Sequence, residues 1–128
     1  MKIPSVSLLL LMILGHLVAD YTLQGWLASG KQKKWWDGQL KDAPDSVKRK
    51  YRNDYKVALI CHSLYWSIIV CLPLLFHPAL FTINAIGHAA LHYLIDDAKA
   101  NKLAINLVED QAFHFVQILS VWLVCVIA

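Results

Sequence analysis

Four apolar stretches, Ile3–Leu27, Val57–Phe76, Ala79–Ile95 and Leu103–Ala128, take up most of this 128-residue chain. Each approaches the ~20 residues an α-helix needs to cross the hydrocarbon core of a bilayer. No other feature constrains the fold as much, because a soluble chain of this length makes one domain and cannot enclose four such helices. Composition agrees. Hydrophobic residues make up 58% and charged residues 16%, against about 45–50% and about 25% in soluble domains. The sequence predicts an all-α fold, a four-transmembrane-helix bundle in a single integral membrane domain over 1-128, with helices about 3-28, 46-76, 78-97 and 103-128. The third stretch, the shortest, is expected deep in the bundle or at a local thinning of the membrane. Lys2 followed by Val6–Leu14 also resembles the opening of a signal peptide. No small-x-small cleavage site follows, so the segment is kept as a helix.

The net charge of +3 is unevenly spread. Of twelve Lys/Arg, nine fall between Lys31 and Lys56, two are Lys99 and Lys102, and one is Lys2. Basic residues in short loops mark the cytoplasmic side. The 28–56 and 98–102 connections are therefore expected inside, and both termini and the His77-Pro78 turn outside. The basic loop is not read as a nucleic-acid patch, because Asp37, Asp42, Asp45 and Asp54 interrupt it and it lies beside a bilayer; topology or attraction to anionic lipid explains it better. Gly25, Ser29 and Gly30 loosen the first helix at its inner end, where Trp26, Trp35 and Trp36 suit the headgroup layer. Pro44-Asp45-Ser46 starts a polar helix, capped by Asp45 or Ser46, that is expected to run unbroken into the second membrane helix and stop near Pro73. Cys61, Cys71 and Cys125 sit in apolar helices without CxxC spacing and imply no disulfide framework.

The ionisable residues within these helices follow one spacing. His16, Asp20 and Gln24 stand at i, i+4, i+8, as do His88, His92 and Asp96, while Asp110 and His114 stand at i, i+4. Such residues share a helix face. With His62 near the inner start of the second helix, all fall in the cytoplasmic half of their helices. Gly15-His16 and Gly87-His88 open a faint internal repeat, as if two helical hairpins were related by an axis along the membrane normal. The glycine before each histidine would let a neighbouring helix approach. An aspartate at the centre of a membrane helix costs roughly 2.5–3.5 kcal/mol even on the lenient insertion scale, so Asp20, Asp96 and Asp110 need compensation. Mutual pairing with the histidines, helped by Lys99 or Lys102, is one source. The other is one or two divalent metal ions held by His16, Asp20, His62, His92, Asp96, Asp110 and His114, seven candidates that suit a two-metal centre. Imidazole and carboxylate without thiolate point to Zn, Mn or Fe rather than copper(I) or an iron–sulfur cluster. His88 stands behind this set, and Glu109 and Asp97 flank it. His77 belongs to the outer turn. Tyr21, Tyr65, Tyr93 and Trp66 are read as packing or belt residues.

Four motifs in order, His16-Leu-Val-Ala-Asp20-Tyr-Thr-Leu-Gln24, His62-Ser-Leu-Tyr-Trp66, His92-Tyr-Leu-Ile-Asp96 with Lys99, and Asp110-Gln111-Ala-Phe-His114, resemble domain-of-unknown-function family 3307. They cover roughly 14–24, 59–66, 88–99 and 109–117. The resemblance implies a small membrane protein of bacteria or their phages, placed in the inner membrane. In its style of His and Asp motifs, though not their spacing, it is loosely similar to the membrane-bound metal-dependent hydrolases. One departure is Asp97, where an aromatic residue is expected after Asp96.

The leading expectation is a membrane-embedded metal-dependent hydrolase acting on a lipid or other amphipathic substrate at the cytoplasmic leaflet, through a water activated by the metal. Gln24, His88, Lys99 and Gln111 are the candidates for supporting the ligands or orienting an ester or phosphate. Membrane lipids are the expected partners, nucleic acid is not, and association into a homo-oligomer stays open. The alternatives are a non-enzymatic metal-binding or transport bundle, a haem-binding bundle using facing histidines, and a small membrane adaptor whose polar cluster only packs helices. The charge pattern makes a topological prediction: cysteines placed at Trp36 and Asn101 react with impermeant reagent only from the cytoplasmic side, and labelling of either from outside would overturn the orientation.

Overall fold

The computed structural model describes residues 5–127; Lys2, the expected helix start at Ile3–Pro4 and the expected end at Ala128 lie outside them. Every regular element among the described residues is helical. Helix α1, Ser5–Leu17, is a run of unbranched and branched aliphatic residues that passes into a π-helical turn at Val18–Thr22. There the Leu23 amide reaches back to the Val18 carbonyl at 2.9 Å, one residue further than in an α-helix. Gly25 then takes φ +52°, a left-handed conformation that suits glycine. The first long helix thus ends at Thr22 rather than Leu27.

The basic segment is not a plain loop. It folds into α2 (Leu27–Gly30), α3 (Lys33–Gln39) and α4 (Asp45–Lys50). Pro44 occupies the cap position of α4 with no side-chain cap hydrogen bond, so neither Asp45 nor Ser46 caps it. A turn at 51–53 separates α4 from α5 (Asp54–Cys71), and the expected unbroken helix is interrupted there, with Asn53 as the non-helical cap residue. A 3-10 turn at Leu72–Leu74, containing Pro73, ends α5. Pro78 opens α6 (Pro78–Ala100), where the missing proline amide costs nothing. Helix α7 (Leu107–Ile127) completes the chain.

The four long helices close a ring: α1 packs on α5 and α7, and α6 packs on the same two. The apolar part of the core, Met12, Trp66, Val70, Leu74, Ile118 and Val121, fills one end of this ring. Its other end is polar. Meanwhile large aliphatic residues face outward at helical spacing, such as Val6, Leu10, Leu14 and Leu17 on α1 and Ile60, Leu64 and Ile68 on α5. Buried histidine and aspartate beneath exposed leucine reverse the order of a soluble protein. Among the described residues three segments are long and apolar enough to cross a membrane: Ser5–Thr22, Asp45–Leu74 and Leu107–Ile127. Helix α6, at 23 residues, is the longest of the four. It does not reach the same apolarity because it carries His88, His92, Asp96, Asp97 and Lys99.

The two repeat glycines differ. A Cβ at Gly15 would lie 3.0 Å from Ile69 Cγ2, so α1 and α5 approach closely there, whereas one at Gly87 would meet nothing within 4 Å. Gly15→Leu should therefore lower stability by about 1–3 kcal/mol through overpacking. Gly87→Ala should be neutral or stabilising by up to about 1 kcal/mol, as expected in a helix interior. Melting in one detergent checks both, and equal effects would remove the helix contact as the cause.

Candidate metal centre

The polar end of the ring is assembled from all four long helices. Asp20 lies in the π-turn of α1, whose wider winding re-aims the side chain that falls in it. His62 comes from α5, His92 and Asp96 from the last half of α6, and Asp110 and His114 from the first turns of α7. All six, with His16, have side chains that are fully or almost fully buried.

Two carboxylates face three imidazoles. The Nε2 atoms of His62, His92 and His114 lie 3.3, 3.9 and 4.0 Å from Asp20 oxygens. The same atoms lie 3.3, 3.7 and 3.2 Å from Asp96 oxygens. His62 Nε2 and His92 Nε2 are 3.1 Å apart, a separation at which two lone pairs need a proton or a cation between them. Rings support the arrangement from behind. His92 stacks on both Trp66 and His114, with centroids 4.3 and 4.2 Å away, and those two rings are 5.5 Å apart and tilted.

The other members are held by their own partners. Trp66 donates its indole N–H to His16 Nδ1 at 2.9 Å. His16 is thereby fixed as the tautomer that donates from Nε2 to Gln111 Oε1, at 3.1 Å. Both its ring nitrogens are engaged, so His16 orients Gln111 rather than adding a free donor atom. Gln111 in turn donates to Asp110 Oδ2 at 3.0 Å, and Lys99 donates to the same oxygen at 2.5 Å. Asp110 Oδ1 faces His114 Nε2 at 3.4 Å. His114 Nδ1 donates to Gln117 Oε1 at 3.3 Å, which leaves its Nε2 lone pair turned into the cluster.

The separations suit a bound ion. Bonds of about 2.0–2.1 Å to nitrogen or oxygen give tetrahedral ligand–ligand edges of about 3.3–3.4 Å. Asp20, His62 and His92 form one group of potential ligand atoms, and His92, Asp96 and His114 another, each within 4.8 Å of one another. His92 belongs to both. Among the described residues, Asp20 Oδ1 and His114 Nε2 are buried without a hydrogen-bond partner, as are Asp110 Oδ1 and the Nδ1 atoms of His62 and His92. Orphaned buried polar atoms are rare, and three of these, Asp20 Oδ1, Asp110 Oδ1 and His114 Nε2, belong to side chains that face one another in the cluster, where a further group would fit. His/Asp groups that can hold a metal ion are thus present.

Comparisons with protein-family models, curated proteins and solved structures match nothing to this chain. Its chemistry is read from its own residues.

Of the supporting residues expected from sequence, Lys99 and Gln111 touch the cluster, while Gln24 turns back to the Asp20 carbonyl. His88 lies behind the cluster: Gln117, which holds His114 Nδ1, reaches the His88 carbonyl at 3.1 Å and its Nδ1 at 3.3 Å, and Ser120 meets the His88 Nε2 at 3.2 Å. Glu109 accepts from the Asn106 amide at 2.8 Å and closes a capping box on α7. Asp97 turns away to Asn101 and Lys102, both at 2.9 Å, so Asp96 alone of the pair faces the imidazoles. The Asp97 carboxylate holds the exposed Lys102 ammonium above its usual range. His77 is at the opposite end of the ring, as the cap of α6.

Lys31 was not apparent as a site residue. Only 6% exposed, it leaves α2 and places its ammonium 2.6 Å from Asp96 Oδ2. Asn101 clamps this segment, donating to the Lys31 carbonyl at 3.1 Å and accepting from the Lys33 amide at 2.8 Å. In sequence Lys31 is one of nine basic residues in a polar stretch, and nothing distinguishes it. Removing one partner of a buried pair is costly, about 3–5 kcal/mol. Lys31→Met should lose that much, and the double variant with Asp96→Asn should recover most of it. A double variant no more stable than the single one would show that the pair carries no coupling.

Proposed function

We propose that this chain is an integral membrane protein that holds one divalent ion, Zn, Mn or Fe, among Asp20, His62, His92, Asp96 and His114, and hydrolyses an ester or phosphoester of an amphipathic substrate at the cytoplasmic leaflet. The observation that carries the reading is that three imidazole Nε2 atoms each lie 3.2–4.0 Å from oxygens of both Asp20 and Asp96. One ion is favoured over two because both candidate groups depend on His92. The four helices span the bilayer, α6 among them, with its His92 and Asp96 turned into the ring. The motif order that resembles family 3307 becomes, in this reading, the order of the ligands.

Charge balance supports a cation. Asp20, Asp96 and Asp110 bring three negative charges, and Lys31 and Lys99 return two positive ones. With neutral imidazoles one negative charge is left over. A divalent ion turns the balance to one positive charge, which favours an anionic group at the site. When bound, it would supply Lewis-acid polarisation and activate water. The chain's own residues do the rest. Asp110 and Gln117 orient His114, Trp66 and Gln111 orient His16, and Lys31 and Lys99 set the charge of the entrance.

A cavity of about 390 Å³ leads from Asp20 and Asp96 past Lys31 and Lys99 to Leu103 and Leu107. Leu103 is 83% exposed with φ 53°, a conformation that costs a leucine energy. An apolar side chain kept there at the rim of a charged cavity fits a substrate with a charged head and an apolar tail. A haem reading fits poorly, because Nε2 atoms 3.1 Å apart leave no slot for a planar macrocycle. A second reading, a cluster that only packs helices, is favoured by the short Lys31–Asp96 and Lys99–Asp110 pairs, which already compensate two carboxylates.

Elemental analysis of protein in nanodiscs, with Asp96→Asn beside it, separates the two. Asparagine keeps the shape and the hydrogen bonding but is a poor ligand for a divalent cation. The expected result is about one ion per chain, loss of that ion in Asp96→Asn, and a melting temperature that chelator lowers only in the parent chain. An ion present at a thousand times its Kd stabilises by about 4 kcal/mol, so the shift is easily measured. A metal-free parent chain with a stable Asp96→Asn variant would establish the packing cluster instead.

A further inference from the structure

Away from the metal centre, the densest unpaired charge lies on the short helices. A groove of about 560 Å³ opens between α3, α4 and the first turn of α5. Its floor is aromatic. Trp36 and Tyr51 stack with centroids 5.9 Å apart and planes 18° apart, and Trp35 meets Trp36 edge-on at 5.0 Å. Tyr55 and Leu40 extend the floor, partly buried like the others. The rim carries Lys33, Lys41, Lys48, Arg49 and Arg52, all exposed, against one acid, Asp37. Lys33 approaches Asp37 at 3.8 Å. Among the described residues the other four cations make no ion pair, although Asp42, Asp45 and Asp54 lie within a few positions in sequence.

We propose that this groove binds the phosphate headgroup of an anionic phospholipid. Guanidinium groups present a fork of donors that matches phosphate oxygens. Tryptophan and tyrosine are the residues that sit at headgroup level, one end apolar and the other hydrogen-bonding. The groove is also prebuilt. The Trp36 indole N–H donates to the Gly30 carbonyl at 2.8 Å, and the start of α3 is held by Asn101. It follows the large exposed apolar residues Tyr21, Leu23 and Trp26 along the chain, which suits a lipid rather than a nucleic acid. The site shares no residue with the metal centre and does not depend on it.

Native mass spectrometry of the full chain from nanodiscs of equal phosphatidylglycerol and phosphatidylcholine tests the assignment. The expected result is one retained phosphatidylglycerol per chain and no retained phosphatidylcholine. A charge near an anionic surface is worth roughly fivefold in binding, so Arg49→Gln with Arg52→Gln should weaken retention by on the order of tenfold or more. The charge-matched control Lys34→Gln with Lys56→Gln, outside the groove, should retain the lipid, and metal content and melting temperature should be unchanged in both. Equal retention of the zwitterionic lipid, or an equal fall in the control, would overturn the proposal. So would displacement of the lipid by free glycerol phosphate or by a short oligonucleotide at equal concentration.

Discussion

The architecture depends on what it takes to bury a carboxylate. Asp96 is 1% exposed, and no medium but the protein can solvate it. Its oxygens are met by Lys31 from α2, His62 from α5, His92 from its own helix and His114 from α7. One side chain thereby ties α5, α6 and α7 to the end of α2. Apolar packing could not do this alone, because aliphatic surfaces on the outside of each helix match those facing inward in chemistry, and slippage between them costs little. The polar end supplies specificity and the apolar end, around Trp66 and Val121, supplies bulk.

That division also explains why so many side chains are spent on orienting others. His16 engages both ring nitrogens with Trp66 and Gln111, and Gln117 holds His114 by its Nδ1. Such outer partners fix tautomer and ring angle, and buried imidazoles gathered from three helices need them to hold one arrangement. His62 and His92 have no comparable partner at Nδ1. His62 is held through its Nε2 by Asp20, Asp96 and His92, and His92 by stacking on Trp66 and His114. The backbone bends to the same end, since the π-turn that carries Asp20 departs from regular α-helix where the carboxylate enters the cluster.

The sequence was most legible where one residue's position follows from another's on the same helix. The i, i+4 pairs His16/Asp20, His92/Asp96 and Asp110/His114 all meet at one end of the ring. Spacing could not rank them, because the commitment of His16 to Trp66 and Gln111 depends on three helices at once. The break at Thr22 was hidden, as a π-turn has no composition of its own. Lys31 was hidden for a different reason, since its burial follows from where Asn101 holds the chain. Gly15 and Gly87 look alike in the repeat, yet only one faces a neighbour. Four helices were apparent, but the third, expected to be the shortest from its apolar run, is the longest, because α6 continues through Asp96, Asp97 and Lys99.

The position of the lysines bears on how a charged interior can be both stable and open. Lys99 and Lys31 pair with carboxylates from the side of the cavity, while the imidazoles pair with them from inside the ring. Asp110 is thereby bracketed, Oδ2 toward Lys99 and Oδ1 toward His114, while Asp96 Oδ2 meets both Lys31 and His62 and its Oδ1 meets His92 and His114. Asp20 differs: both its oxygens address imidazoles, and no lysine among the described residues pairs with it. It is the carboxylate whose compensation is weakest within the protein, and its Oδ1 is without a hydrogen-bond partner. Where positive charge is still wanted is thus at Asp20, beside His62 and His92, and that is one of the two groups whose spacing suits an ion.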